Sequence, residues 1–227
     1  MTTPALSAII IDFDDTLCMT EEACFDLENE ALRRMGRPPQ SREIHRQTWG
    51  PQLEVAMQTR SPGINMVEFW RVLDIVRPEF ILAGRFDQVS ESSLETLDVL
   101  ARDNYQLFIL TSRMKSEVVH LLDPAHHLAG RITEIYHADN TGHIKPDPRV
   151  FDALLAKHHL PPAACVYVGD SPSDGIAAKN ANMHFIASFE SGLRSRDDFS
   201  DILVDAAIDR FTDLPAAVQS LKTKNTA

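Results

Sequence analysis

The sequence predicts an α/β fold, a doubly wound parallel sheet of the Rossmann-like kind with an inserted block of α-helices. Short apolar runs alternate along the chain with helical patterns, and one stretch after the first run carries helical patterns alone. Alternation of strands and helices is typical of a parallel sheet covered on both faces. The 227 residues are enough for one large domain or for one domain with an insertion.

Four apolar runs are rich in β-branched residues or are followed by polar, turn-forming residues. Continuous apolar runs of this length suit strands that are buried on both faces of a sheet. The four runs are residues 8–13, 107–110, 165–168 and 184–188. Weaker patterns predict a fifth strand at residues 132–136 and a sixth at residues 206–208.

Helical patterns lie between these strands, at residues 86–102 and at residues 148–159, where a proline favours the start of a helix. Residues 19–86 break the alternation, because they contain no convincing strand. Their helical patterns are at residues 21–35, 41–48, 52–58 and 65–76. We therefore expect a core domain of residues 1–18 and 87–227, with a helical cap domain of residues 19–86 inserted into it.

The composition restricts the partners that we expect. A formal net charge of −11 repels a phosphodiester backbone, so nucleic acid is not an expected partner. The sequence has no signal-peptide pattern and no apolar run long enough to span a bilayer, which gives the cytoplasm as the expected compartment and no membrane partner. The expected assembly is a monomer or a homodimer.

Acidic residues follow the first apolar run. Asp12, Asp14 and Asp15 come at its end, where open α/β sheets bind their ligands. If the strand persists, alternation directs Asp12 and Asp14 to the same side, and a cation between them would relieve their repulsion. Carboxylate oxygens favour a hard ion such as Mg²⁺. Taken alone, this pair is explained equally well by capping of a turn.

A second acidic cluster follows the run at residues 165–168. Asp170 comes at the end of this predicted strand, and Asp174 lies one turn into a helix that we expect Ser171 and Pro172 to start. In a parallel sheet both acids face the same edge as Asp12. Capping of a helix explains one such acid, but two strand ends that each carry acids are harder to explain by capping.

Hydroxyl groups and a lysine are predicted at the same edge. Thr111 and Ser112 follow the run at residues 107–110, where a hydroxyl and a backbone N–H can both donate to a phosphate oxygen. Lys145 lies in a loop that two prolines restrict, and its ammonium is a compact charge suited to phosphate. Singly, these residues are explained by a turn and by a solvated loop.

Together, the four segments resemble the haloacid dehalogenase (HAD) superfamily, specifically phosphoglycolate phosphatase-like members with a helical C1-type cap after the first strand. The sequence has DFDDT at residues 12–16, then Thr111-Ser112, then Lys145-Pro146, and then GDSPSD at residues 169–174. This is the order that the family shows, and the resemblance extends over about residues 8–221. A single motif of this set is weakly specific, whereas the ordered set is specific.

The resemblance implies a role for each matching residue. Asp12 is the expected nucleophile, and Asp14 is the expected general acid and then general base. The expected phosphate-binding residues are Thr111, Ser112 and Lys145. The expected cofactor is Mg²⁺, held by Asp12, the main-chain carbonyl of Asp14, Asp170 and, directly or from an outer position, Asp174.

Two positions depart from the family pattern. Asp15 and Asn182 stand where the family often has glycine. Asp15 adds negative charge beside the nucleophile unless it turns away, whereas Asn182 tolerates a left-handed backbone. In the expected cap, Arg46 and Trp49 are candidates for substrate contact, from a cationic and aromatic group that also contains Arg42, His45 and Arg60. The alternative is that most of this group are surface or packing residues.

The predicted function is hydrolysis of a small phosphorylated metabolite, a phosphomonoester, by a Mg²⁺-dependent phosphatase that forms an aspartyl-phosphate intermediate. The resemblance argues against the dehalogenase branch, because displacing a halide needs no leaving-group acid in the position of Asp14. Two alternatives stay open. One is a phosphomutase of the hexose phosphate type, and the other is a non-catalytic, regulatory phosphate-binding protein.

Overall fold

The predicted strands form one six-stranded parallel sheet in the computed structural model, which describes residues 5–225. The strands are β1 (Ala8–Ile11), β2 (Gln106–Leu110), β3 (Glu134–Tyr136), β4 (Cys165–Gly169), β5 (His184–Ser188) and β6 (Ala206–Ile208). Their order across the sheet is β3-β2-β1-β4-β5-β6. The predicted α/β fold class is therefore confirmed.

The register of the paired strands determines where the candidate site residues lie along the edge of the sheet. The central strand β1 pairs with β2 on one side and with β4 on the other, so that Ile11 lies opposite both Ile109 and Val168. All of these strands are parallel, so their carboxyl ends meet at one edge. Residues just after β1, β2 and β4 consequently emerge at neighbouring positions on that edge.

Helices cover the faces of this sheet, as the fully buried strands β1 and β4 require. They are α5 (Glu91–Arg102), α6 (Lys115–Val118), α7 (Ala138–Thr141), α8 (Asp152–His158), α9 (Pro172–Asn180) and α10 (Leu214–Asn225), together with five short 3₁₀ helices. Aromatic and aliphatic residues of the strands and helices form one buried cluster in which Phe108, Phe151, Tyr167 and Phe185 are fully buried.

The chain divides into two compact units, of which one is Cys18–Gln88 and the other contains the sheet. The first unit is entirely helical, with α1 (Glu21–Arg34), α2 (Arg42–Gln47), α3 (Leu53–Arg60) and α4 (Met66–Leu82). Apolar residues of α1, α3 and α4, including Leu32, Met57, Phe69 and Leu73, form a separate buried cluster. Within residues 5–225, no helix combines the length and the apolar character needed to span a bilayer.

Several predicted boundaries were wrong, and three of them have a clear physical reason. The first strand ends at Ile11 rather than at residue 13, because a turn follows in which Leu17 N–H donates to the carbonyl of Phe13. Helix α5 begins only at Glu91, since Ser90 caps it by accepting from Ser93 N–H. Helix α4 continues past residue 76 and through Pro78, and this continuation places Phe80 in the buried cluster.

Candidate active site

Three predicted carboxylates meet at the carboxyl edge of the sheet. Asp12 follows β1, Asp170 follows β4, and Asp174 lies in the first turn of α9. One carboxylate oxygen from each lies within 4.8 Å of the others, and all three residues are buried. The sequence-based expectation that Asp170 and Asp174 would face the same edge as Asp12 is met by this geometry.

The turn into α9 fixes the carboxylate of Asp174. Ser171 caps the helix, and its own N–H and hydroxyl donate to Asp174 Oδ2 at 3.0 and 2.6 Å. Pro172 occupies the start of the helix, as predicted. Gly169 allows this close approach, since a Cβ at that position would lie 2.5 Å from the carboxyl carbon of Asp174.

Lys145 binds the acidic cluster directly. Its Nζ lies 2.9 Å from Asp12 Oδ1 and 2.7 Å from Asp174 Oδ1, and the lysine side chain is only 6% exposed. Burial acts to lower the pKa of Lys145, but the charges of Asp12 and Asp174 outweigh it and raise the pKa well above 10.5. The ammonium is therefore charged and partly neutralises two carboxylates that would otherwise be buried without compensation.

One ammonium does not neutralise three carboxylates. Burial is the main cause that raises the pKa of Asp12 from 3.8 to about 8. The charge of Lys145 acts to lower this pKa, whereas repulsion from Asp174 and Asp14 raises it further. Burial, followed by repulsion from Asp174 and Asp12, also raises the pKa of Asp170 well above 3.8. With all three carboxylates ionised the cluster would carry an excess of negative charge, so Asp12 and Asp170 hold their protons more tightly unless a bound cation relieves the repulsion.

The residues of the cluster fit a hard divalent cation. All three ligand atoms are carboxylate oxygens, which Mg²⁺ favours, and the side chains converge within the span of a single ion. The side chain of Asp14 is not part of this convergent group, and the family resemblance assigns its main-chain carbonyl rather than its carboxylate to the metal.

Asp14 instead pairs with a residue whose role the sequence left open. Arg113 Nε donates to Asp14 Oδ2 at 3.0 Å, and Nη2 donates to Oδ1 at 2.5 Å. Because β1 ends at Ile11, the alternation expected to direct Asp14 beside Asp12 does not apply. None of the motifs matched in the sequence includes Arg113, so this ion pair was missed.

The predicted phosphate-binding hydroxyl residues lie where β2 leaves the sheet. Thr111 is buried at 2% exposure, its N–H donates to the carbonyl of Tyr136, and its hydroxyl accepts from Arg113 N–H at 3.2 Å. Ser112 is half-buried next to it. Both follow Leu110, at the same edge as Asp12, and their roles stay predictions.

The two positions that depart from the family pattern both adopt a left-handed backbone. Asp15 has a φ of 54° and Asn182 a φ of 59°, so both tolerate the conformation that glycine adopts more easily. Asp15 is buried at 2% exposure, and its charge contributes, after burial and two other aspartates, to the raised pKa of Asp170. Its charge therefore adds to the negative charge that acts on Asp170.

The candidate substrate-contact residues of the helical unit differ in exposure. Arg46 is exposed on α2, and Trp49 is half-buried after α2, with its ring centroid 5.2 Å from that of His45. His45 and Arg60 are buried within the unit, where His45 contacts Glu21 at 2.7 Å and Arg60 binds Glu28. For these two the packing alternative is correct, and Arg46 and Trp49 stay predictions.

Comparison with known proteins gives the class of this molecule. Residues 9–188 match the family model of haloacid dehalogenase-like hydrolases, so the chain belongs to this family. The phosphoglycolate phosphatase of Pseudomonas fluorescens is 26% identical over 186 residues, which are 79% of this chain and 68% of that relative. The pyrophosphatase PpaX of Bacillus velezensis is 27% identical over 80% of this chain and 82% of its own.

The fold agrees with this membership. The crystal structure of a predicted phosphoglycolate phosphatase from Haemophilus somnus superposes with a TM-score of 0.77 at 22% identity, covering 93% of this chain and 97% of that one. The phosphoglycolate phosphatases of Aliivibrio fischeri and Vibrio vulnificus match over 54% and 38% of their own length, whereas that of Vibrio parahaemolyticus matches over 82% of its length. The predictions of the phosphoglycolate phosphatase-like family and of an enzyme of its phosphatase class are confirmed.

Proposed function

We propose that the protein is a Mg²⁺-dependent phosphatase that hydrolyses a small phosphorylated metabolite through a phospho-aspartate on Asp12. The observation that supports this most directly is the 2.9 Å contact between Lys145 Nζ and Asp12 Oδ1 inside a buried cluster of three carboxylates. A lysine beside a buried aspartate at the ligand-binding edge of an α/β sheet is suited to bring a phosphate dianion to a carboxylate.

In the first step a carboxylate oxygen of Asp12 attacks phosphorus, and the bond from phosphorus to the leaving oxygen breaks. Asp14 gives a proton to that oxygen, so that an alcohol leaves. Thr111 and Ser112 donate hydrogen bonds to the phosphoryl oxygens. The ammonium of Lys145 stabilises the charge on the same oxygens, which matters most in the transition state.

In the second step Asp14 accepts a proton from water, and the water oxygen attacks phosphorus. The bond between phosphorus and Asp12 breaks, which frees inorganic phosphate and restores the aspartate. Residues that would hold Mg²⁺ are Asp12, the main-chain carbonyl of Asp14, Asp170 and Asp174. When bound, the ion would neutralise the excess charge of the carboxylates and lower the repulsion of an incoming phosphate.

We propose that the helical unit, which corresponds to the cap domain expected at residues 19–86, selects the substrate. Arg46 and Trp49 are its proposed contact residues. Arg46 is exposed and cationic, and Trp49 offers a partly exposed aromatic surface. We further propose a cytoplasmic monomer or homodimer that binds neither nucleic acid nor membrane, in keeping with the net charge of −11.

Phosphate release from a panel of small phosphomonoesters tests this function. The panel includes phosphoglycolate and also pyrophosphate, because curated relatives carry the corresponding names. We expect Mg²⁺-dependent release by the wild type and none above background by Asp12→Asn. Release from no compound by a folded, Mg²⁺-supplied wild type would contradict the proposal. Conversion of a sugar phosphate to its isomer without release would indicate the mutase alternative.

A further inference from the structure

Tyr167 is a residue of the candidate site that none of the sequence motifs identifies. It lies in the middle of β4, and its side chain is fully buried. Its hydroxyl oxygen lies 3.2 Å from Lys145 Nζ, 3.2 Å from Asp174 Oδ1 and 3.4 Å from the carbonyl oxygen of Leu110. The tyrosine thus contacts the lysine and one of the carboxylates at once.

The chemistry of the groups fixes the direction of these hydrogen bonds. A lysine ammonium has three N–H donors and no acceptor, so the hydroxyl of Tyr167 accepts from Lys145. The single proton of the phenol is then donated to Asp174 Oδ1 or to the carbonyl of Leu110. Asp12 Oδ1, at 2.9 Å, and Asp174 Oδ1, at 2.7 Å, are the other two acceptors around Lys145.

These three oxygen atoms match the three N–H groups of the ammonium. Tyr167 is the one partner of the three that is not a carboxyl group, and it is also held firmly. Its strand pairs with β1 on one side and β5 on the other, and its ring packs edge-on against Phe151 with the ring centroids 5.0 Å apart. Lys145, in contrast, comes from a loop between α7 and the 3₁₀ helix that precedes α8.

We propose that Tyr167 is a positioning residue for the phosphatase reaction, because its hydroxyl accepts from Lys145 and holds the ammonium between Asp12 and Asp174. This inference rests on the proposed function for its effect on catalysis, but the placement of Lys145 does not. A rigid strand residue sets the direction of a flexible lysine whose charge must meet the phosphoryl oxygens.

The variant Tyr167→Phe removes the hydroxyl and keeps the ring. Since the third hydrogen bond of the ammonium is lost, we expect kcat to fall about threefold to tenfold. KM should change less than about twofold, because the charge of Lys145 acts mainly on the transition state. A matched control is Tyr136→Phe, which removes a hydroxyl that donates to Glu134 at 3.1 Å in the same core. We expect the control to keep kcat within about twofold.

A second measurement needs neither substrate nor metal. The ¹⁵N resonance of the Lys145 ammonium, assigned by its loss in Lys145→Arg, should shift in Tyr167→Phe and stay in place in Tyr136→Phe. An unmoved signal in Tyr167→Phe overturns the proposal, and so does a loss of activity that is equal in the two tyrosine variants.

The two readouts separate this inference from the proposed function. If the wild type releases no phosphate, the proposed function and the catalytic effect of Tyr167 both fail, whereas the Lys145 resonance still decides whether Tyr167 holds the ammonium. If the wild type is active and the resonance does not move, only the positioning role fails.

Discussion

Arg113 holds the carboxylate of Asp14 by two hydrogen bonds, from Nε at 3.0 Å and from Nη2 at 2.5 Å. Such a two-point pair between a guanidinium and a carboxylate is among the stronger charge-assisted contacts in proteins. The guanidinium carbon also lies 5.2 Å from the centre of the Phe13 ring. Asp14 therefore has a defined orientation outside the three-carboxylate cluster.

The variant Asp14→Asn separates the two steps of the proposed reaction. With p-nitrophenyl phosphate, whose leaving group needs no proton, we expect a rapid burst of about one nitrophenolate per enzyme followed by slow turnover. Steady-state kcat should fall about 10²- to 10⁴-fold, because no base activates water. Stopped-flow absorbance measures both phases.

A matched control for this variant is Asp98→Asn. Asp98 is also bound at two points by an arginine, Arg131, at 2.8 and 3.0 Å, but it lies in α5 rather than at the candidate site. The Asp98→Asn variant should keep the steady-state turnover of the wild type. An Asp14→Asn protein with normal steady-state turnover would show that Asp14 is not the proton-transfer group.

The acidic cluster predicts how Mg²⁺ affinity depends on Asp170. Replacement by asparagine removes one of three convergent carboxylates, so we expect titration calorimetry to show affinity reduced by at least about 100-fold. Asp209→Asn, at an exposed aspartate that pairs with Arg196, should bind Mg²⁺ like the wild type. Equal Mg²⁺ affinity in the wild type, Asp170→Asn and Asp209→Asn would show that the cation binds elsewhere.

A buried ion pair should stabilise the helical unit. Arg60 Nη1 donates to both carboxylate oxygens of Glu28 at 2.8 Å, and the two side chains are 1% and 3% exposed. Arg60 also donates to Thr48, at its carbonyl and its hydroxyl. Because Arg60→Met leaves the Glu28 carboxylate buried without this partner, we expect it to lower the free energy of unfolding by about 3–5 kcal/mol.

An exposed pair in the same unit serves as the control. Arg85 lies 3.4 Å from Asp26, and both side chains are about half exposed, so Arg85→Met should cost less than about 1 kcal/mol. Urea denaturation of the three proteins gives the comparison. Equal losses for Arg60→Met and Arg85→Met would contradict the assigned importance of the buried pair.

The same pair predicts an acid dependence. Burial acts to raise the pKa of Glu28, but His45, whose Nε2 lies 3.5 Å from Oε1, and the charge of Arg60 lower it below 4.5. Since the folded-state pKa is depressed, the stabilisation is fully present above pH 4.5 and is lost as the pH falls below that value. Glu28→Gln should therefore be less stable than the wild type at pH 7, by a margin that shrinks below pH 4.5. A margin that grows on acidification would contradict this sign.

Much of the fold could be predicted because the central strands are buried on both faces. The run Ile9, Ile10 and Ile11 is entirely buried, and such runs stand out in a sequence. Helix α4 was cut short in the prediction because Pro78 normally ends a helix. The burial of Phe80 favours the continuation of the helix past Pro78, but this burial depends on tertiary contacts that cannot be recognised in the local sequence.

The site could be predicted where a residue type is unusual for its place in the sheet. Asp12 and Asp170 are charged residues directly after apolar strands, and Lys145 lies directly before two closely spaced prolines, Pro146 and Pro148. Tyr167 has no such signal, because a tyrosine in a buried strand looks like ordinary core. Arg113 lacked one too, since its partner Asp14 is 99 positions away in sequence. Contacts of this kind depend on the tertiary arrangement.

The central claim is that Asp12 becomes phosphorylated, and trapping the phospho-enzyme tests it most directly. Wild-type protein is mixed with Mg²⁺ and its best phosphomonoester, quenched in acid during turnover and reduced with borohydride, which converts an acyl phosphate to an alcohol. We predict homoserine at position 12 by peptide mass spectrometry, only when substrate is present. Phosphate release at the normal rate with Asp12 unmodified, or with the label on another residue, would contradict the account.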